Sequence, residues 1–441
     1  MSQLNEEEQF KDVDLAGETD EFKEVLEDDD DQFKDVETPR DQKLLKEVTQ
    51  ANEKYKTKDG DAGKTSSPAS SETSEEQAGK AEDSTIVPVD KLLEFCQRVM
   101  VKAGATPTHA EVLAELLVSA DHMGHYSHGL FKLAYYADDI SKGIVACDKE
   151  PEIIKQGPST ALVNGNNCLG PVVGKMCMDL AIEKAKVSGI GWVTAYRSNH
   201  FGIAGWYSMR AMEQELIGMA FTNSNPNSVH PRGKQKLLGT NPISVAAKGD
   251  GADTFVLDMA TTAVAQGKVA VKQRLGEPVP EGWGVDAAGK STTDTEEILR
   301  QGGLSPLGGR EDTGGYKGFG LAMMVEIFCG VLSGSHVGNQ VKFWTNADGI
   351  SEANIGQCFV AIDPQAFAPG FSGRLSELIQ QVKGSEPGEG YTQDDLKVAG
   401  EPEGCHMEEC MMLGGIPYHK THIDAAHSIA KKYQVDPLVS S

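Results

Sequence analysis

Three histidines recur at spacings of three, His122, His125 and His128, in the run Asp121-His122-Met123-Gly124-His125-Tyr126-Ser127-His128-Gly129. On one continuous helix they would share an arc of about 120°. That opens two chemistries: imidazoles converging on a zinc-type ion, or one imidazole moving a proton near its ordinary pKa of about 6.5. A plainer reading is a helix end carrying partly exposed rings, and Gly124 weakens the helix that a metal site would need. A fourth histidine, His200, follows an apolar run directly in Ser198-Asn199-His200-Phe201-Gly202. The carboxyl end of a buried strand is where open sheets meet ligands, although a turn histidine bonded to backbone fits equally. Gly315-Tyr316-Lys317-Gly318-Phe319-Gly320 opens a strong helix, whose N–H groups suit a phosphate, with Lys317 adding charge. It reads G-x-x-G-x-G, neither the Rossmann fingerprint nor a Walker loop. A dinucleotide, if bound, must be held by another architecture. Asp258 ends an apolar strand in Asp258-Met259-Ala260-Thr261-Thr262, where an acid can cap the next turn or orient an imidazole.

These residues need elements to position them. Leu92, Leu93, Cys96, Val99 and Met100 recur at helical spacing and stop before Gly104. Thr106 and Pro107 read as a cap and first-turn proline, opening a second helix through Val112, Leu113, Leu116, Leu117 and Ala120. A third is expected from Leu130 to Ser141. From Thr160 the texture changes. Short apolar runs at 161–163, 191–196, 217–221, 243–246, 255–257 and 359–362 alternate with helical stretches at 174–186 and 318–332. The fold class is therefore α/β (α+β), with a helical domain over 85–150 and a second domain of strands alternating with helices over 151–385. A C-terminal segment, 386–436, returns to the helical part through a helix at 423–433.

Charge narrows the function classes. The 441 residues carry 66 acids against 41 bases, a balance of −25, which argues against sequence-independent nucleic-acid binding. No stretch approaches a membrane span, since the best run, Leu321 to Leu332, is broken by Glu326. The N-terminus reads as neither a secretory signal nor a transit peptide. Eight scattered cysteines without a C-x-x-C pair suit a reduced, cytoplasmic setting. Residues 1–84 hold 26 acids and 11 bases and few aliphatic residues, the composition of a disordered tail and linker. Within it Phe10-Lys11-Asp12-Val13, Phe22-Lys23-Glu24-Val25 and Phe33-Lys34-Asp35-Val36 form an imperfect repeat. Its isolated apolar anchors suit either a solvated tail or docking on an unknown partner. Leu44, Leu45, Val48, Ala51 and Tyr55 would share one face of a short helix.

Several separated motifs, taken in order, carry a resemblance. They are Tyr126-Ser127-His128-Gly129, Ser198-Asn199-His200-Phe201-Gly202, Thr222-Asn223-Ser224, Lys236-Leu237-Leu238-Gly239-Thr240-Asn241-Pro242, Phe255-Val256-Leu257-Asp258-Met259-Ala260-Thr261, Gly276-Glu277-Pro278-Val279-Pro280-Glu281-Gly282-Trp283, Leu307-Gly308-Gly309, Gly315-Tyr316-Lys317-Gly318 and Gly400-Glu401-Pro402-Glu403. From about Val89 to Val435 the chain resembles the malate/L-lactate dehydrogenase type 2 family. This non-Rossmann group includes ureidoglycolate dehydrogenase, diketogulonate reductase, sulfolactate dehydrogenase and a cyclic-imine reductase.

The resemblance implies a homodimer of two-part subunits, each with a helical portion and, over 151–385, a mixed-sheet domain that holds NAD or NADP without a Rossmann fold. The implied reaction is reversible hydride transfer between nicotinamide C4 and C2 of a 2-hydroxy or 2-oxo acid, malate or L-lactate first. No metal is implied, and no nucleic-acid or membrane partner. His128 matches the proton donor of some members and His200 the acceptor described in others, so both stay open as the catalytic imidazole. Many relatives carry arginine four residues after the Ser-His-Gly histidine; here Lys132 stands there, a point charge without the planar fork. Tyr136, one turn on, could supply a hydroxyl to the same site. The implied cofactor segments are Ser224, Asp258 with Met259, Ala260 and Thr261, Tyr316 with Lys317, and Gly400 with Glu401. Two alternatives remain: a reductase of another 2-oxo acid or a cyclic imine, and a silent scaffold working through its acidic tail.

Overall fold

The computed structural model describes residues 84–342 and 352–438. The acidic tail, its repeat and the stretch at 44–55 lie outside the described residues. Helix α1, Val89–Ala103, ends on Gly104 in the left-handed region at φ 117°. Helix α2, Pro107–His122, begins as its residue types require: the Thr106 hydroxyl accepts from the His109 N–H at 3.2 Å, and proline fills the first turn. Helix α3 spans Leu130–Ser141. Buried Leu113, Leu116 and Leu117 lie in a core that continues through Met178 and Val193 to Phe359, so the helices and the sheet share one apolar interior. Each such leucine contributes about 1.5–3 kcal/mol by leaving water.

Seven strands form the main sheet: β1 (Glu152–Gln156), β2 (Thr160–Asn164), β3 (Ile190–Ser198), β4 (Ile217–Thr222), β5 (Ile243–Lys248), β6 (Thr254–Met259) and β7 (Ile355–Ile362). Their spatial order is β1-β2-β3-β7-β4-β5-β6. Within this sheet β2 and β3 pair in parallel, joined by the crossover helix α4 (Gly170–Ser188), whereas every other neighbouring pair is antiparallel. One βαβ unit followed by antiparallel partners is not a doubly wound sheet, which accounts for the missing fingerprint. Strand β7 arrives last yet sits at the centre. It is buried from Ile355 through Ala361, and its apolar run is the signature of a strand covered on both faces.

Helix α5 (Gly205–Met212) follows β3, and α6 (Gly315–Glu326) packs near the far half of the sheet. The single helix expected over 318–332 is corrected: beyond Glu326 the backbone widens into a π-helical turn, Ile327–Val331. That change follows the buried Glu326 carboxylate, which is engaged by other segments of the chain. Helix α7 (Glu401–Leu413) precedes a strand, Ile416–His419, that pairs antiparallel with Ser84–Val87. Helix α8 (Lys420–Tyr433) then closes onto α3, where the Tyr433 hydroxyl donates to Asp138 at 2.6 Å and Lys432 ion-pairs with the same carboxylate.

Candidate active site

The three spaced histidines do not share a helix. Helix α2 stops at His122 because Gly124 turns left-handed at φ 82°. The His125 N–H then closes back on the Ala120 carbonyl, and the His128 N–H on that of His125. Their rings take different partners. His125 lies 3.8 Å from Glu403, whereas His128 faces His200. Among the described residues, no group of three or more His, Cys, Asp or Glu side chains could hold a metal ion.

What fixes the His128 turn is Asp121, a buried carboxylate. Its Oδ2 accepts from the Leu130 N–H at 2.7 Å, capping α3, and from the Tyr418 hydroxyl at 2.5 Å. Gly129 lies against it so closely that a Cβ would fall 1.9 Å from Asp121 Oδ1. Tyr126 reinforces the turn by donating to the Pro417 carbonyl at 3.0 Å and meeting His406 Nε2 at 3.1 Å. The sequence reading gave Asp121 no role. Its neighbour Gly129, hard against a helix start, is the signal that could have found it.

His200 comes from the end of β3. The preceding Asn199 is buried, with its amide donating to the Asn167 and Cys168 carbonyls and its own carbonyl accepting from Gln357 at 3.1 Å. His200 Nδ1 meets the Tyr136 hydroxyl at 2.7 Å and receives the Gly202 N–H at 3.3 Å. A nitrogen accepting from a backbone N–H carries no proton of its own. That contact favours the neutral Nε2–H tautomer, with the Tyr136 hydroxyl set between Nδ1 and the His200 main-chain carbonyl, 3.4 Å away. The His128 and His200 rings are nearly parallel, 15° apart in plane, with centroids 6.0 Å apart. Ser127 Oγ meets His128 Nδ1 at 2.9 Å; when Nδ1–H donates to it, Nε2 is left able to accept a proton.

Burial, with the nearby Lys132 ammonium and His125, lowers the His128 pKa to about 4. The same burial, with His128 and Lys132, holds His200 well below the ordinary imidazole range. Lys132 is itself lowered by burial, and its ammonium lies 4.9 Å from the Tyr135 ring centre and 5.5 Å from that of Phe131. The structure thus brings together all four residues expected around the reacting oxygen: His128, His200, Lys132 and Tyr136. Lys132→Met should raise the KM of an anionic substrate about ten- to hundredfold with a smaller change in kcat, the worth of a charge-assisted hydrogen bond. Steady-state kinetics would show this, and an unchanged KM would remove Lys132 from substrate binding.

The expected cofactor segments fall into two groups. Ser224, Thr240 and Thr261 form one corner: the Thr240 N–H donates to Ser224 Oγ at 3.1 Å, and the Thr261 hydroxyl donates to the Thr240 carbonyl at 3.0 Å. The Leu307 N–H reaches the Thr261 carbonyl, drawing in the loop before α6, where exposed Tyr316 and Lys317 stand. No side chain caps the start of α6. The second group surrounds Asp258 at the end of β6. Its Oδ2 accepts from the Gly205 N–H at 2.6 Å, so it caps the start of α5, 53 residues earlier in the chain, and the expected cap on the turn that follows it is corrected: sheet pairing brings that distant helix start to the end of β6. Burial pushes its pKa to about 7, and Glu403 adds to the rise. Gly400 packs on Val256 of β6, and the Glu401 carboxylate is already engaged by Lys383 and the Val398 N–H. Met259 and Ala260 continue from Asp258 toward Thr261.

A mixed sheet with one βαβ unit stands outside the Rossmann group, and the imidazole pair it carries beside a lysine is equipped to move a proton at an oxygen of an anionic substrate. The chain belongs to the malate/L-lactate dehydrogenase family, whose model matches residues 87–425. It is 41% identical over 355 residues to a malate dehydrogenase of Pyrococcus abyssi, covering 80% of this chain and 96% of that one. An L-sulfolactate dehydrogenase of Methanocaldococcus jannaschii is 39% identical over 69% of this chain and 85% of its own. The solved malate dehydrogenase of Pyrococcus horikoshii superposes with a TM-score of 0.73 at 38% identity, covering 81% of this chain and 98% of that one.

Proposed function

We propose that this protein is an NAD(P)-dependent 2-hydroxy acid dehydrogenase whose substrate pair is malate and oxaloacetate. The observation that carries the reading is the parallel His128–His200 pair with Lys132 beside it. The donor set suits the cofactor's phosphates: a helix start without a side-chain cap, with Lys317 and Tyr316 beside it, and the hydroxyls of Ser224 and Thr240, which buried Thr261 supports through the Thr240 carbonyl. Asp258, Met259, Ala260 and Gly400–Glu401 complete the holding residues, the Glu401 carboxylate and N–H serving to fix the start of α7 through Lys383 and Val398. When bound, NAD or NADP supplies the acceptor for the C2 hydride, and returns the hydride in reduction.

The chain's own residues handle the proton. Lys132 holds the substrate carboxylate. In oxidation neutral His128 takes the hydroxyl proton, and His200 donates its Nε2–H to the same oxygen, stabilising charge as the carbonyl forms. In reduction the proton passes back from His128. Binding the carboxylate offsets the Lys132 charge that depresses His128, so substrate itself raises the proton affinity of the base.

A panel of oxaloacetate, pyruvate, 2-oxoglutarate and a cyclic imine, each with NADH and NADPH, tests the reading by loss of reduced-cofactor absorbance. Reduction of the imine alone would move the protein to the reductases, and reduction of none would leave a scaffold. We further read residues 85–150 with 386–436, and 151–385, as the two parts of a subunit that pairs with a second copy. Met323, Ile327 and Val331 support pairing, being 49%, 49% and 64% exposed at intervals of four. The eight unpaired cysteines suit the cytoplasm. Removing residues 1–84 should leave kcat and KM unchanged; a collapse in turnover would make the tail part of the working enzyme.

A further inference from the structure

Glu326 is a buried acid within the apolar run of α6, only 7% exposed. Its Oε1 accepts from the Asn223 amide at 3.2 Å and the Gly338 N–H at 2.6 Å, and its Oε2 from the Asn241 amide at 2.8 Å. Asn223 and Asn241 are fully buried. An ionised carboxylate can only accept, so both asparagines must turn their NH2 groups toward it. Their carbonyl oxygens are then forced outward. That of Asn241 accepts from the Ser224 N–H at 3.1 Å, and that of Asn223 from the Gly356 N–H at 2.9 Å. Asn241 is held at φ 34°, and its main-chain carbonyl accepts from the Thr261 hydroxyl at 3.1 Å. The same NH2 groups also donate to the Ala322 carbonyl at 3.0 Å, from Asn241, and the His336 carbonyl at 2.8 Å, from Asn223, so Glu326 shares with these carbonyls the setting of the amides behind the Ser224 N–H.

We infer that Glu326 is a positioning residue for the dinucleotide, acting through Asn241 and Asn223 to hold that corner in its receiving shape. This rests on the reading above that Ser224 and Thr240, supported by buried Thr261, line the cofactor site. Glutamine in place of Glu326 presents an NH2 where an acceptor stood. An asparagine facing it either flips, turning a donor against the Ser224 or Gly356 N–H and orphaning the Ala322 or His336 carbonyl, or is pushed back from the new NH2; both pass the defect to the site.

The test uses the full-length protein, with NADH and NADPH affinities read by fluorescence titration beside steady-state kinetics and Tm. E326Q should weaken the preferred cofactor by about tenfold or more while kcat at saturating cofactor and substrate KM stay within about threefold. Val325→Ala leaves a packing defect in the same helix and serves as the stability control. At a comparable loss of Tm it should hold cofactor affinity within about twofold of wild type. Cofactor affinity in E326Q within that same margin, or an equal loss in V325A, overturns the inference. If E326Q does not fold, Asn241→Ser is read by the same criteria. Wild-type protein that binds neither dinucleotide would instead remove the cofactor reading on which the inference stands.

Discussion

His128→Ala lowers turnover by about two to four powers of ten, the usual worth of a positioned acid–base group, while cofactor affinity stays close to wild type. The direction of the pH dependence is set by burial and Lys132, which lower the His128 pKa to about 4 in the free protein. Oxidation needs the neutral ring, so its kcat/KM should be flat from neutral pH downward and fall only as pH approaches about 4. Reduction needs the imidazolium, whose population falls about tenfold for each pH unit above its pKa. Its kcat/KM should therefore decline as pH rises across the accessible range. Pre-steady-state and pH–rate measurements in both directions decide the matter. A mutant with near-normal turnover, or a reduction that speeds up with rising pH, assigns the proton to another group. His200→Ala with an intact H128A enzyme would point to the partner ring.

Gly129→Ala is expected to destabilise the protein by about 2–4 kcal/mol. The added methyl would fall 1.9 to 2.3 Å from the Asp121 carboxyl atoms, and that carboxylate cannot swing away without abandoning the Leu130 N–H and the Tyr418 hydroxyl. Relief must come from the backbone, which carries His128 with it. Denaturant unfolding should show the loss, and whatever folded protein remains should have a lowered kcat. Wild-type stability and turnover in G129A would mean the turn is softer than its packing says.

Much of the local structure is legible in the chain itself. Thr106-Pro107 and Gly104 carry their own stop and start chemistry, α3 lies over the residues its periodicity marks, and each apolar run after Thr160 became a strand. These features depend on neighbours a few residues away. The unread features depend on distant ones. Nothing local says that β7 inserts between β3 and β4, because that order is a choice among long-range pairings. Asp121 meets Tyr418 across 297 residues, and Glu326, a mere interruption when seen alone, gains its meaning from Asn223 and Asn241. The histidine spacing misled for the opposite reason: periodicity assumes a helix, and Gly124 ended it.

The far end of the polypeptide fastening the His128 turn has a consequence for biosynthesis. Tyr418 and Pro417 leave the ribosome almost 300 residues behind Asp121 and Tyr126, a lag of roughly 15–60 s at ordinary elongation rates. Until then the nascent polypeptide lacks the clasp, so the His128 turn is fastened only after Tyr418 has been made. A product ending before Tyr418 would carry both imidazoles on a turn that nothing holds from that side.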